Sequence, residues 1–262
     1  MHPYLNIALI AARKAGDKIL QTIDRGETLR ITEKQTNDFV THVDHLSERI
    51  ILNEIQKAYP QHAILAEESG EKPGEEACWI IDPIDGTANF MRGYPQFAIS
   101  IGIKVKDKLT LGLIYDPIKQ EVFMAEKGRG AYLNDKRIRI SPRSKFANAI
   151  IAVGMPFPKE TKRLQAYTRI VRSIFRECGD IRRGGSAALD LAYVACGRVE
   201  AYWELNLKPW DIAAGVLIAA EAGAIVTDTA GKQDFLNNGN VLAATPKLYR
   251  DVYRLCCESP AL

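Results

Sequence analysis

The most informative stretch of the sequence is an apolar strand that runs directly into two carboxylates: Trp79-Ile80-Ile81-Asp82-Pro83-Ile84-Asp85-Gly86-Thr87. Pro83 has no backbone N–H and ends the pairing of the strand, while Gly86 permits a tight turn. Asp82 and Asp85 are therefore predicted to lie close together. Two unpaired carboxylates repel each other, and a bound divalent cation removes that repulsion. The stretch predicts a magnesium, manganese or calcium site, since hard oxygen ligands favour these ions over zinc.

The turn after this strand also predicts a phosphate site. The backbone N–H groups of Gly86 and Thr87 face a phosphate if a helix begins there. Asp-Pro and Asp-Gly are common turn formers, so either dipeptide alone indicates only a turn. The complete pattern Asp-Pro-Ile-Asp-Gly-Thr is a much more specific signal.

A further acidic pair and two single acidic residues occur at predicted element ends. Glu67 and Glu68 follow an apolar run, Asp211 follows Pro209-Trp210, and Asp44 lies near a helix start. Taken singly, they indicate a solvated turn, a carboxylate at a helix N-terminus and a helix-start residue. A carboxylate at a helix N-terminus can also bind a metal, so both interpretations stay open for Asp211.

Hydrophobic periodicity divides the chain near residue 144 into two sub-domains, 1–144 and 145–262. In the first, apolar residues at three- and four-residue steps predict helices over 7–19 and 43–55, the second ending before Pro60. Strands are predicted over 62–67, 78–82, 97–105, 109–115 and 121–125, with a turn at Asn134-Asp135. For this half, the pattern predicts an α+β arrangement of helices on a largely antiparallel sheet.

The second half alternates strands and helices. Strands are predicted over 149–153, 200–205 and 224–227, and helices over 161–177, 187–195 and 209–222. This alternation predicts an α/β sub-domain. A cleft between the two halves is a natural ligand site.

The composition excludes several other classes of protein. The 262 residues are 47% hydrophobic and 26% charged, as in ordinary globular proteins, and no apolar stretch approaches the roughly 20 residues of a membrane span. The net charge of +3 is too small to predict nucleic-acid or membrane binding. The five cysteines form no CxxC pair, and no signal peptide is recognisable, so we expect a reducing cytoplasm. No P-loop pattern and no phosphate-cradling cysteine loop occurs.

Over nearly its whole length, the sequence resembles the inositol monophosphatase family of lithium-sensitive phosphatases. The resemblance rests on the acid pair 67–68, the Asp-Pro-Ile-Asp-Gly-Thr pattern, and Trp210-Asp211 followed by Gly223. It is closest to the bacterial inositol-1-monophosphatases, through His2-Pro3 and the segments 37–41 and 185–195. Ala224 stands where the family usually has a second glycine, and we expect an ordinary backbone there.

The resemblance implies a layered αβαβα fold, a homodimer, and hydrolysis of inositol 1-phosphate by water activated at magnesium. Two or three Mg²⁺ ions per site are implied, with Mn²⁺ as a substitute. The implied metal ligands are Glu67, Asp82, the Ile84 carbonyl, Asp85 and Asp211.

The resemblance also implies the other site roles. Glu67 holds a water beside the metal, and Thr87 with Asp44 orients or deprotonates the attacking water. Lys34 falls near a basic position of the family. The implied substrate contacts are Asp85, Gly86, Thr87, Gly185, Ser186, Ala187, Glu204 and Asp211.

Two alternatives remain open. Sister phosphatases acting on fructose 1,6-bisphosphate, a 3′-phosphoadenosine phosphate or histidinol phosphate share the metal motif, although Glu204 and residues 185–187 favour a polyol. Bacterial relatives are also associated with ribosomal RNA transcription through protein partners, for which Arg182 and Arg183 are candidate contacts. Direct nucleic-acid binding and membrane binding are not expected.

Overall fold

The computed structural model describes residues 2–26, 28–35, 38–155 and 161–257. Its first layer is a pair of helices, α1 (Pro3–Asp24) and α2 (His42–Ala58), joined through a hairpin of β1 (Ile31–Gln35) and β2 (Asp38–Thr41). The buried face of α1 is rich in alanine, which lets α1 pack closely on its neighbours. A capping box formed by Thr41 and Asp44 starts α2.

The second layer is an eight-stranded sheet whose spatial order is β10-β9-β8-β7-β6-β5-β3-β4. Only β3 and β5 pair in parallel, and all other neighbouring strands in this sheet are antiparallel. Its strands are β3 (His62–Ala66), β4 (Gly70–Lys72), β5 (Glu75–Asp85), β6 (Ala98–Val105), β7 (Lys108–Asp116), β8 (Glu121–Glu126), β9 (Gly130–Leu133) and β10 (Lys136–Arg137). The short helix α3 (Thr87–Met91) follows β5.

Two buried helices, α5 (Ala187–Ala195) and α6 (Pro209–Ala222), form the central layer. Glycines let α6 lie directly against the sheet backbone. A Cβ atom on Gly102 of β6 would lie 2.6 Å from Ala213 Cβ, and one on Gly112 of β7 would lie 2.8 Å from the Ala214 carbonyl oxygen. No larger side chain fits between α6 and these two strands.

The fourth layer is a mixed five-stranded sheet of order β12-β11-β13-β15-β14, in which β11 runs parallel to β12 and β13. Helices α4 (Thr161–Glu177) and α8 (Tyr249–Cys256) cover its outer face, and α7 (Phe235–Asn238) precedes its last strand. The strands are β11 (Ile150–Val153), β12 (Asp180–Arg182), β13 (Ala201–Glu204), β14 (Ile225–Thr227) and β15 (Val241–Ala244).

A buried glutamate fixes the segment that joins the two sheets. Glu200 is 1% exposed, and its carboxylate accepts hydrogen bonds from the Ile150 N–H at 2.7 Å and from Arg143 Nη1 at 3.0 Å. Strand β10 ends at Arg137 and β11 begins at Ile150, so this contact lies at the segment that connects the two sheets.

The five layers confirm the predicted αβαβα arrangement. Helices α4, α5 and α6 have the predicted bounds, and α2 ends at Ala58, before Pro60. Asn134 and Asp135 both adopt positive φ, as the predicted turn requires, whereas Ala224 has no positive φ. Among the described helices, none is long and apolar enough to cross a bilayer.

Candidate metal and phosphate site

Three carboxylates converge where β5 ends. One oxygen from each of Asp82, Asp85 and Asp211 lies within 4.8 Å of the other two. Strand β5 supplies Asp82 and Asp85, and the first turn of α6 supplies Asp211. Asp211 also caps α6 by accepting the Lys208 N–H at 2.7 Å, so helix capping and site formation use the same side chain.

The backbone between the two strand-borne acids bulges, and local hydrogen bonds hold its shape. The register of β5 with β6 shifts between Asp82 and Asp85, and the Ile84 N–H donates to Asp82 Oδ1 at 3.0 Å. Ser47 on α2 donates to the Pro83 carbonyl at 3.0 Å. Gly86 then adopts φ 98°, which favours glycine, and begins α3. The bulge brings both carboxylates to one end of the strand.

Burial of these acids makes their charged forms unfavourable. Burial raises the pKa of Asp82 well above its ordinary value, and the charges of Glu67, Asp85 and Asp211 raise it further. Burial raises the pKa of Asp85 to about 6, although hydrogen bonds from Ser186 and Ala188 act in the opposite direction. Burial and the charge of Asp85 also raise the pKa of Asp211. Three crowded carboxylate oxygens, two on buried residues and one on the half-buried Asp211, fit a hard divalent cation.

The buried Asp44 and the half-buried Thr87 form a second arrangement beside the carboxylates. The Thr87 hydroxyl donates to Asp44 Oδ1 at 2.9 Å, with the Ile84 carbonyl oxygen 3.1 Å away as a second acceptor. Asp44 Oδ2 accepts from both the hydroxyl and the N–H of Thr41. Burial raises the pKa of Asp44, while these hydrogen bonds lower it. The site thus holds a threonine hydroxyl in direct contact with a carboxylate.

The N-terminus of α5 meets the same carboxylates. The Ser186 hydroxyl and the Ala188 N–H, at 2.8 Å, both donate to Asp85 Oδ2. Gly185 has φ 80°, and a Cβ on Gly86 would lie 3.2 Å from the Gly185 carbonyl oxygen. Ala187 is the first residue of α5 and is buried. The predicted residues 185–187 therefore lie against the turn that follows β5.

Glu204 lies at the end of β13 and faces Gly154. A Cβ on Gly154 would lie 1.8 Å from Glu204 Cδ, so the carboxylate occupies space that only glycine leaves open. The Tyr202 hydroxyl donates to Glu204. Burial raises the pKa of Glu204 to about 7, and the charge of Asp85 also raises it, whereas Arg183 lowers it. Glu204 is thus electrostatically linked to the carboxylate site.

Some predicted site residues are not among the three clustered carboxylates. Glu67 lies outside the cluster of three carboxylates, although its charge raises the pKa of Asp82 and Asp211. The Ile84 carbonyl already accepts a hydrogen bond from the Thr87 hydroxyl. The Lys34 side chain and residue Asn37 lie outside the described part of the chain.

The sequence did not predict several residues that hold the site together. Asn89 Nδ2 donates to the Gly184 carbonyl at 2.9 Å and to the Gln96 carbonyl at 2.7 Å, so it joins α3 to the segment before α5. Ser100 of β6 donates to the Trp210 carbonyl at 3.2 Å, next to Asp211. The contacts of Asn89 with Gly184 and of Ser100 with Trp210 join residues 95 and 110 positions apart, and no local pattern signals them.

Comparison with known proteins agrees with this geometry. The inositol monophosphatase family matches residues 1–260. Nus factor SuhB of Vibrio cholerae is 49% identical over 249 residues, covering 94% of this chain and 93% of that protein. Nus factor SuhB of Escherichia coli K12 is 46% identical over 252 residues, covering 95% and 94%.

A solved structure shares the whole fold. The extragenic suppressor protein suhB from Bartonella henselae superposes with a TM-score of 0.95 at 40% identity, covering 98% of this chain and 100% of that one. Sequence, fold and acidic cluster therefore agree, and the chain belongs to the inositol monophosphatase family, a family of metal-dependent phosphomonoesterases.

Proposed function

We propose that this chain acts as an accessory factor of the transcription machinery through a protein partner. The supporting observation is its 46–49% identity, over nearly the full length, to two proteins named Nus factor SuhB. The sequence alone favoured hydrolysis of inositol 1-phosphate and left a sister phosphatase activity and the transcription role as alternatives. The names of these relatives favour the transcription role instead.

A binding experiment tests this role. Purified chain is immobilised and incubated with purified RNA polymerase and its elongation factors. We expect retention of at least one of these proteins by the wild type and by Asp85→Asn, because the candidate contact Arg182 is exposed whereas Asp85 is buried. Arg182 is 52% exposed in its side chain, so Arg182→Gln serves as the surface variant. Failure of the wild type to retain any of these proteins would contradict the proposal.

We further propose that the acidic site hydrolyses a small phosphate monoester, with inositol 1-phosphate as the first candidate substrate. The observation that supports it is the convergence of Asp82, Asp85 and Asp211 beside the glycine turn of β5. These three residues, joined by Glu67 and the Ile84 carbonyl, would hold Mg²⁺, or Mn²⁺ as a substitute. When bound, such ions neutralise phosphate charge, activate water and stabilise the leaving alkoxide.

The chain's own groups perform the remaining steps in this proposal. The Gly86 and Thr87 amides bind phosphate oxygens at the start of α3, as N–H groups there do for anions. The Thr87 hydroxyl positions the attacking water, and Asp44, which already accepts from Thr87, takes its proton. Water attacks phosphorus in line, without a phosphoenzyme.

Substrate recognition is assigned to the α5 side of the site. Gly185, Ser186 and Ala187 would face the hydroxyls of a polyol, and Glu204 would accept hydrogen bonds from them. We also propose a cytoplasmic homodimer, two or three ions per site and inhibition by lithium, as the family resemblance implies.

Phosphate release tests the hydrolysis. We expect Mg²⁺-dependent turnover of inositol 1-phosphate by the wild type and loss of most of kcat in Asp85→Asn. Asp228→Asn is the matched control, because Asp228 is another buried aspartate, 2% exposed, but lies outside the cluster. Near-normal turnover in Asp85→Asn would contradict the site. A panel with fructose 1,6-bisphosphate, 3′-phosphoadenosine phosphate and histidinol phosphate distinguishes the sister activities.

A further inference from the structure

A buried carboxylate of α5, Asp190, has no partner within the described part of the chain. It lies in the first turn of the helix and is 4% exposed. Its side chain accepts no hydrogen bond there and forms no ion pair. Such a group is uncommon in a folded protein, because it loses hydration and gains no contact in return. Asp190 is therefore a candidate for contact with a ligand.

Helix capping does not explain Asp190. The Ser186 hydroxyl accepts the Leu189 N–H at 3.3 Å, and Asp85 Oδ2 accepts the Ala188 N–H at 2.8 Å. These two acceptors serve the N–H groups that begin α5, which a capping carboxylate would otherwise bind. The Asp190 side chain is left over from this arrangement.

A glycine makes room for the Asp190 carboxylate beside the candidate substrate residues. A Cβ on Gly184 would lie 2.6 Å from Asp190 Oδ1 and 3.2 Å from Oδ2. Asn89 Nδ2 holds this glycine by donating to its carbonyl at 2.9 Å. Glu204 is placed in the same manner, against the position of a Cβ on Gly154. Two glycines thus leave space for two carboxylates on the side of the site to which substrate recognition is assigned.

The Asp190 oxygens keep contact with solvent despite their depth. Among the described side chains, two polar atoms are fully enclosed without a hydrogen bond, Trp203 Nε1 and Thr245 Oγ1, and neither belongs to Asp190. Since the Asp190 oxygens have no hydrogen bond, they are not fully enclosed. A ligand can therefore reach them.

Negative charge exceeds positive charge around Asp190. Burial raises the pKa of Asp190 well above its ordinary value, the charges of Glu204 and Asp85 raise it further, and Arg183 lowers it. Arg183 also lowers the pKa of Glu204, but within the described residues it forms no ion pair with either acid. One guanidinium group therefore faces two carboxylates, Asp190 and Glu204, besides the metal-site acid Asp85.

A neutral polyol matches this side of the site only in part. Its hydroxyls can donate to Glu204, but they bring no charge to balance a second buried carboxylate. An ammonium group brings a positive charge and three N–H donors, and charge-assisted hydrogen bonds are stronger than neutral ones. The unpartnered oxygens of Asp190 therefore favour an ammonium group over a hydroxyl.

We propose that Asp190 and Glu204 together select the phosphate monoester of an amino polyol, in which an ammonium group replaces one hydroxyl. This inference rests on the proposed hydrolysis at the carboxylate site and narrows its substrate class. The ammonium group donates to Asp190, and the remaining hydroxyls donate to Glu204. Asp190 determines specificity and takes no part in bond breaking.

Hydrolysis of two matched substrates tests the proposal. D-Glucosamine 1-phosphate carries an ammonium group where D-glucose 1-phosphate carries a hydroxyl, and both have their phosphate on a six-membered ring. At pH 7.0 with Mg²⁺, we expect the wild-type kcat/KM to be about tenfold or more higher for the amino sugar. Asp190→Asn keeps the side-chain shape and removes its charge. It should lower this preference about fivefold or more, with kcat/KM for glucose 1-phosphate unchanged within about threefold.

Asp228→Asn is the matched control. Asp228 is another buried aspartate, 2% exposed, which accepts the Ala230 and Lys232 N–H groups away from the acidic cluster. Its preference for the amino sugar should equal that of the wild type. A variant that merely folds less well loses both substrates in proportion, so the ratio of the two kcat/KM values reports recognition.

Two kinetic results would overturn the proposal and leave the proposed hydrolysis standing. One is equal kcat/KM of the wild type for the two sugar phosphates while inositol 1-phosphate is hydrolysed. The other is an equal loss of both sugar phosphates in Asp190→Asn, which would assign Asp190 to the folding of the site.

Failure of the wild type to hydrolyse inositol 1-phosphate and both sugar phosphates would contradict the proposed hydrolysis instead. Wherever neither sugar phosphate is hydrolysed, thermal unfolding with Mg²⁺ and a saturating concentration of each decides recognition. A larger rise in unfolding temperature with glucosamine 1-phosphate, lost in Asp190→Asn, would support the selection of an ammonium group. Equal rises, or none with either sugar phosphate, would overturn it.

Discussion

Thr87 Oγ1 lies 2.9 Å from Asp44 Oδ1, although the two residues are 43 positions apart. The same carboxylate accepts two hydrogen bonds from Thr41, which fix it at the start of α2. Helix capping therefore holds the base candidate in place, and Thr87 connects it to the turn after β5.

Thr87→Val removes this hydroxyl and keeps the shape of the side chain. We expect kcat for phosphate release to fall about 10² to 10⁴-fold, the usual range for loss of proton-transfer catalysis. Thr41→Val is the matched control, because it also removes a hydroxyl that donates to Asp44. It should cost about 1 kcal/mol of stability as a lost helix cap, with kcat nearly unchanged. Equal losses of kcat would indicate that Thr87 only holds Asp44.

Asp82→Asn should raise the unfolding temperature when the metal is removed with EDTA at pH 7.5. Asparagine keeps an oxygen for the Ile84 N–H and removes one of the mutually repelling charges. Each 1 kcal/mol gained corresponds to about 2 to 4 °C for a chain of this size. Saturating Mg²⁺ should stabilise the wild type more than the variant, because a ligand that binds only the folded state stabilises it.

The difference in unfolding temperature between Asp82→Asn and the wild type in EDTA should depend on pH, because the pKa of Asp82 is raised in the folded state. An acid whose pKa is raised in the folded state binds more protons there than in the unfolded state. The loss of folding stability that it causes therefore grows as the pH rises through its folded-state pKa. The advantage of Asp82→Asn in EDTA should therefore be largest at pH 7.5 and shrink towards pH 5. Calorimetry at both values measures it, and a constant difference would exclude repulsion as its cause.

Glu204→Gln should separate recognition of the polyol from hydrolysis. The carboxylate fills the space beside Gly154 and accepts from Tyr202, so glutamine keeps the packing and loses an acceptor. We expect KM for inositol 1-phosphate to rise about tenfold, with kcat/KM for p-nitrophenyl phosphate, which has no polyol, unchanged within about twofold. Losses of similar size on both substrates would assign Glu204 to the folding of the site.

Glu200→Ala should destabilise the chain by about 3 kcal/mol in urea unfolding. The substitution leaves the Ile150 N–H without its acceptor in a place that is almost fully buried. Arg143→Gln removes only the other partner, whose side chain is 57% exposed, and should cost less than about 1 kcal/mol. Similar losses of stability in the two variants would indicate that the ion pair, and not the hydrogen bond to the buried amide, stabilises the fold.

Local pattern predicts this fold well where elements are long or strongly periodic. The bounds of α6 follow from an apolar run with Pro209 at the start and Gly223 at the end, those of α5 follow from the apolar run 187–195 after Ser186, and β6 follows from clean alternation. The pattern did not predict the short elements β12, β15 and α7, whose few residues are held by tertiary packing.

The candidate site likewise contains residues that local pattern predicts and residues that only tertiary packing brings together. Asp82 and Asp85 are predictable because they stand three positions apart at the end of an apolar strand, with Pro83 between them. The approach of Asp211, the Ser186 contact to Asp85 and the Asn89 bridge depend on how distant elements pack. The family resemblance brought Asp211, Asp85 and Ser186 into one expectation, but it did not predict Asn89.

The glycine contacts of α6 have a mechanical consequence. Gly102 and Gly112 place the helix that carries Asp211 directly on the backbone of two strands, with no layer of side chains between them. The spacing between helix and sheet is then set by main-chain atoms, whose size does not change with sequence. Substitutions that enlarge or shrink the surrounding core can be absorbed elsewhere, while the distance from Asp211 to the acids of β5 stays constant.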